Sequence, residues 1–148
     1  MTVLKIVSGA LIIAASVFLG NGISVYYKNK KRFLEETCDF IGFIRSEIDF
    51  YNREIDEIIR DYSAKNPKSD LTVFLREEKQ PKNYETMLAE YIEGVKRLDK
   101  SSQKDFSASF SEKLKREIEK NEKDLKIKGD TIKKIAPLTG IAVFILLL

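Results

Sequence analysis

The chain has 148 residues, enough for one domain with membrane anchors, and its net charge of +3 comes from interleaved Lys and Glu rather than a basic stripe, which argues against nucleic-acid binding. It has no histidine, no tryptophan and a single cysteine, Cys38. That composition removes an internal disulfide, the histidine-based triads and the commonest metal ligand, so we assign no catalytic, metal or cofactor residue and expect no enzyme.

The first element is apolar. Ile6 through Tyr27 is uncharged for 22 residues, which at about 1.5 Å per residue covers a hydrocarbon core of about 30 Å. Tyr26 and Tyr27 suit the interface. A cleaved signal peptide is the competing reading, since the segment is N-terminal and carries Ala14, Ala15 and Ser16. The block Lys28, Lys30, Lys31 and Arg32 follows at once, and positive charge past an apolar span is retained in the cytoplasm. An uncleaved anchor over residues 1–27 is therefore expected.

From Phe33 to Tyr62 the pattern predicts one long helix. Leu34, Ile41, Ile48, Ile55 and Tyr62 recur every seven residues, with Thr37, Ile44, Tyr51 and Ile58 three positions later. The period is that of a coiled coil, but a bundle helix whose partners lie later in the chain explains it more simply. Cys38 lies near this seam and reads as a structural thiol. Asn66-Pro67-Lys68-Ser69-Asp70 is a loop, and Ser69 or Asp70 is expected to cap a short helix carrying Leu71, Phe74 and Leu75. Gln80-Pro81-Lys82-Asn83 is the next break. Tyr84, Met87, Leu88, Tyr91, Ile92, Val95 and Leu98 then form an amphipathic face. Ser102 is expected to cap the last helix, with Asp105 in its first turn.

That helix opens with Phe106, Phe110, Leu114 and Ile118 on one side. Beyond Ile118 it is mostly Lys and Glu, and we read it as a charged stalk loosened at Gly129-Asp130. The last element, Ile135–Leu148, is apolar all round. Its nine Leu, Ile, Val and Phe residues contribute roughly −3 to −5 kcal/mol of insertion free energy. A buried core helix is the alternative at 14 residues. Lys133 and Lys134 can snorkel, and local thinning of the bilayer can absorb the shortfall.

The expected architecture is all-α: a small helical bundle flanked by N- and C-terminal transmembrane helices. The anchor is 1–27, the cytoplasmic bundle with its stalk 28–131, and the C-terminal transmembrane segment 132–148. The topology-determining residues are Lys28, Lys30, Lys31, Arg32, Lys133 and Lys134, which put the middle in the cytoplasm and both termini across the membrane. The carboxylate pairs Glu35-Glu36, Asp56-Glu57 and Glu77-Glu78 read as solvated charge. No phosphate-binding glycine loop occurs, and Gly9, Gly20 and Gly22 are not spaced as GxxxG.

Three stretches resemble the stage III sporulation protein AB family of endospore-forming bacteria. Ser46-Glu47-Ile48-Asp49-Phe50-Tyr51 is similar to its glutamate-isoleucine-aromatic stretch. Gly94-Val-Lys-Arg-Leu-Asp-Lys-Ser-Ser-Gln103 resembles its turn before the last helix, and the ending Ile135–Leu148 resembles its tail. Asp99 stands where the family has Gly, and Pro137 where it has a small residue or Leu, so the likeness is to a divergent, clostridial-type member.

The resemblance implies a non-catalytic platform or adaptor of the channel complex joining mother cell and forespore. Its soluble domain is similar to that of the type II secretion inner-membrane platform protein. It implies contacts with a cytoplasmic ATPase like stage III sporulation protein AA and with other stage III membrane proteins, on the mother-cell side of a two-span anchor. Homo-oligomerisation stays open. Glu47 and Gln103 are the candidate partner surface. A generic helical membrane scaffold in cell division or envelope assembly is the alternative.

Overall fold

The computed structural model describes residues 2–77, 81 and 83–147, with side-chain surroundings for 7–77, 81 and 83–146. The described elements are α1 (Thr2–Tyr51), α2 (Ile55–Lys65), α3 (Asp70–Arg76), α4 (Thr86–Lys96), α5 (Lys100–Asp124), a π-helical turn (Leu125–Asp130) and α6 (Thr131–Leu147). The all-α expectation holds. The break expected at Gln80–Asn83 lies largely outside the described residues, as does Glu78 of the third carboxylate pair.

Contacts divide the chain into two compact units, 1–30 with 120–148, and 31–119. The second is the helical bundle. Its core is the seam anticipated on α1: Leu34, Ile41, Ile44 and Ile48 are buried there, with Phe33, Phe40 and Thr37 beside them. The chain then doubles back along this face. Tyr62 of α2 packs on Phe40 and Phe43, Ser69 reaches Glu36, and Phe74 of α3 meets Phe33. Leu88, Tyr91 and Val95 of α4 and Phe110 and Leu114 of α5 close the core.

The long helix predicted through Tyr62 is two helices. α1 stops at Tyr51, and Asn52 takes a left-handed conformation with φ 51°. Asparagine is the residue after glycine that best tolerates this, so it can end a helix without a glycine signal. The Lys100 ammonium donates to both the carbonyl and the Oδ1 of Asn52, each at 2.7 Å, which fixes the turn. The seven-residue spacing survives the break, since Ile48 and Ile55 are both buried. Tyr51, expected on the seam, is instead 68% exposed.

The caps differ in part from expectation. Ser69 does cap α3, accepting from the amides of Leu71 and Thr72. The α5 cap is Asp99 rather than Ser102: its carboxylate accepts from the amides of Ser101 and Ser102 and from the Ser102 hydroxyl. The Ser102 hydroxyl and amide hold the Asp99 carboxyl below its ordinary pKa.

The Tyr91 hydroxyl is buried and shares a 2.8 Å hydrogen bond with Ser107. Burial pushes its pKa up to about 12, against a smaller lowering by Ser107. An acid whose folded pKa is raised keeps its full stabilising effect below the unfolded value near 10 and loses it as pH climbs toward the folded value. The thermal transition should therefore lose about 2–3 kcal/mol of stability between pH 10 and 12. Tyr91→Phe should flatten that alkaline loss, and an unchanged pH profile in the variant would show that Tyr91 is not its source.

Candidate functional site

Two regions carry the residues of interest, one in each unit. In the first, α1 and α6 run antiparallel and touch through small residues. A side chain at Gly9 would strike the Phe144 ring, with a Cβ only 1.9 Å from its nearest carbon. At Gly20 a Cβ would lie 3.1 Å from the Ala136 Cβ, and at Gly140 it would lie 3.0 Å from the Ile13 Cα. Gly129, in the π turn, faces the Ser24 backbone. The Asn121 side-chain amide donates to the Tyr27 carbonyl at 3.0 Å.

The glycine-only spacing rule missed this contact. Ser16, Gly20 and Ser24 stand four apart on α1, and Ala136 and Gly140 stand four apart on α6. Small residues at that spacing let backbones approach as closely as two glycines do. The hydroxyls within these stretches are satisfied on their own helices: Ser16 donates to the Ile12 carbonyl and Thr139 to that of Ile135.

The outer faces are apolar and open. Leu11, Phe18, Leu19, Leu138 and Leu146 are each more than 60% exposed. Among the described residues, α1 is long and apolar enough to cross a membrane, a test that a signal sequence also passes. α6 does not join it: it has 17 residues, Lys133 and Lys134 stand in its first turn, and Pro137 lies inside it. The expected loosening at Gly129-Asp130 is a widened π turn, and the helix continues through it.

In the second region, the turn from α1 to α2 is an ion-pair hub. The Arg53 guanidinium reaches Glu47 at 2.9 Å, Glu57 at 2.8 Å and Asp61 at 2.6 Å. Those three carboxylates, Glu57 first, raise its pKa, and in return Arg53 lowers that of Asp61. Lys104 pairs with Asp49 at 2.5 Å on the same corner. Glu47 is therefore a mostly buried partner of Arg53. Gln103 is 8% exposed, and its side-chain amide donates to the Val95 and Leu98 carbonyls at 3.0 Å, tying the end of α4 to α5. Both residues hold helix ends rather than offer a surface. What the corner presents to solvent is aromatic: Phe50 is 80% and Tyr51 68% exposed.

The expected topology lysines are mostly open to solvent. Lys28, Lys133 and Lys134 are exposed, Lys31 lies 3.6 Å from Glu35, and Arg32 pairs with Asp70. In the first two carboxylate pairs, Asp56 is held by Lys96, Glu57 by Arg53, and Glu36 accepts from the Ser69 hydroxyl and the Leu71 amide. Cys38 is half-buried, and burial pushes its thiol up, away from the thiolate a nucleophile needs. A shallow groove of about 340 Å³ lies between α2, α3 and α4, floored by Ile59, Phe74, Leu75 and Ile92 and rimmed by the Asp56–Lys96 pair.

Comparison with protein-family models, curated proteins and solved structures returns no match to this chain.

The α1–α6 contact has a direct test. In a Cys38→Ser background, Gly20→Cys with Ala136→Cys should form an intramolecular disulfide under mild oxidation, because the two Cβ positions lie close to bridging distance. Gly22→Cys with Ala136→Cys should not, since nothing approaches a Cβ at Gly22 within 4 Å. Equal bridging in both pairs, or in neither, would reject the register.

Proposed function

We propose that the chain is a membrane-anchored, non-catalytic adaptor whose helical domain binds cytoplasmic or membrane partners. The observation that carries this is the α1–α6 pair. Its inner face brings small residues together, and over residues 7–19 and 135–146 its outer face is dominated by exposed apolar side chains. A water-soluble protein rarely leaves so large an apolar area uncovered. In lipid the same surface is matched, and close packing of small residues replaces the missing hydrophobic drive. On this reading α6 is a second, short span, and the lysines at residues 28–31 and 126–134 hold residues 31–119 on the cytoplasmic side.

The narrower reading places the adaptor in the sporulation channel between mother cell and forespore, coupling an ATPase like stage III sporulation protein AA to membrane components. Its support is the motif resemblance in residues 46–51, 94–103 and 135–148. In the first of these stretches the aromatic pair Phe50 and Tyr51 is the exposed feature, and exposed aromatics on a rigid corner are the usual anchors of a partner interface.

Deleting the gene from a spore-forming host should abolish heat-resistant spores, and the wild-type chain should restore them. The double variant Phe50→Ser and Tyr51→Ser should reach the membrane in normal amount. It should lower the spore titre by about tenfold or more, the scale on which losing an aromatic anchor worth ~2 kcal/mol weakens a complex. Normal heat resistance in the deletion strain would remove the sporulation assignment. Loss of viability during vegetative growth would favour a general envelope scaffold.

A further inference from the structure

The register of α6 on α1 fixes how much of the first apolar run can lie in hydrocarbon. By sequence that run extends from Ile6 to Tyr27, and the natural boundary is the tyrosine pair followed by Lys28. The contacts say otherwise. Gly20 packs against the backbone of Ile132 and Lys133 as well as the Ala136 side chain. Ser24 faces Gly129. Lys128 lies near Tyr27 and pairs with Asp124 at 3.3 Å.

Alongside Gly20–Tyr27 therefore stand Lys128, Asp130, Lys133 and Lys134, all four exposed. From Gly20 to Tyr27 is seven residues, about 10 Å along the helix. A boundary at Tyr27 would sink Lys133 and Lys134 by that distance, further than a lysine stem can snorkel, and would bury a carboxylate with them. The α1 sequence opposite is suited to water: Gly20-Asn21-Gly22-Ile23-Ser24 breaks the run of large apolar side chains that ends at Leu19.

We infer that, on the two-span reading above, the hydrocarbon boundary lies at Gly20, with Gly20–Tyr27 and the π turn standing together in the interfacial layer. Between Lys5 and that boundary α1 has 14 residues, Ile6–Leu19, a length of about 21 Å against the ~30 Å core of an ordinary bilayer. The partner this surface fits is a bilayer locally thinned around the paired helices, or one of short acyl chains. Tyr26 and Tyr27, in edge-to-face contact at 5.5 Å, then belong to the headgroup level rather than to the hydrocarbon edge.

Single-cysteine labelling of the full chain tests this. In a Cys38→Ser background, Leu11→Cys, Phe18→Cys, Gly22→Cys, Val25→Cys and Asn29→Cys are each treated with a membrane-impermeant maleimide in membranes opened by freeze–thaw, so that both faces meet the reagent. Native positions 11, 18, 22, 25 and 29 are all exposed. The reagent needs a thiolate, which does not form in hydrocarbon. We expect Gly22→Cys and Val25→Cys to react within about threefold of Asn29→Cys, and Leu11→Cys and Phe18→Cys to react about a hundredfold more slowly until detergent is added. Protection of Gly22→Cys and Val25→Cys to the level of Leu11→Cys, with Asn29→Cys reactive, would overturn the shallow boundary and leave the two-span reading intact. Free reaction of Leu11→Cys in intact lipid would overturn the membrane reading itself.

Discussion

The size of the side chains on one face of α1 decides what each length of that helix can pack against. In a folded protein most of a helix's stability comes from the packing of its faces, so the neighbours along the 50 residues of α1 matter more than its own hydrogen bonds. Toward the N-terminus the facing residues are Gly9, Ser16, Gly20 and Ser24, and the neighbour comes close enough for backbone to meet backbone. From Phe33 onward they are Phe, Leu and Ile, and the neighbours are held off by interdigitated side chains. The two modes suit different solvents. Burying Leu34, Ile41 and Ile48 is favourable because water is the alternative. In oil that drive is absent, and what remains is close dispersion contact and satisfied polar groups.

The bundle of residues 31–119 spends its polar side chains on helix ends. Each helix leaves about four amides or carbonyls without an internal partner. Ser69 and Asp99 take amides at the starts of α3 and α5. Gln103 serves two carbonyls at the end of α4, and Lys100 takes the carbonyl of Asn52 just past the end of α1. Arg53 then gathers three carboxylates around the reversal. These contacts hold the corner from several sides, and Phe50 and Tyr51 project from it into solvent.

Much of this was legible from residue patterns, and what was missed has specific causes. The seven-residue seam identified the buried face of α1 and α2, because burial follows periodicity whether or not the helix is continuous. The break at Asn52 was invisible to a search for Gly and Pro, since an asparagine held by a lysine 48 positions away does the same work. Tyr51 looked like core because seam spacing was carried one residue too near the end of the helix. Glu47 and Gln103 drew notice as polar residues in a motif, and only the fold shows that Arg53 and two carbonyls consume them. The small-residue contact was encoded all along, but in serine and alanine as well as glycine.

The π turn follows from the same close contact. Counted from Asn121, which holds the Tyr27 carbonyl, an α-helix returns to the same face after seven residues, at Lys128. A Cβ at the position facing Ser24 meets the Leu125 side chain at 2.9 Å and the Ser24 Cα at 3.7 Å, which leaves little room for a long side chain. The turn over Leu125–Asp130 takes in one extra residue, and Gly129 arrives at that position instead, free of any side chain. From there Ala136 and Gly140 fall in step with Gly20 and Ile13. The widened turn thus matches the phase of a charged helix, with its charges outward, to that of an apolar one with its small residues inward. Lys128, Lys133 and Lys134 stay exposed because the helix shifts its face before it reaches the apolar run.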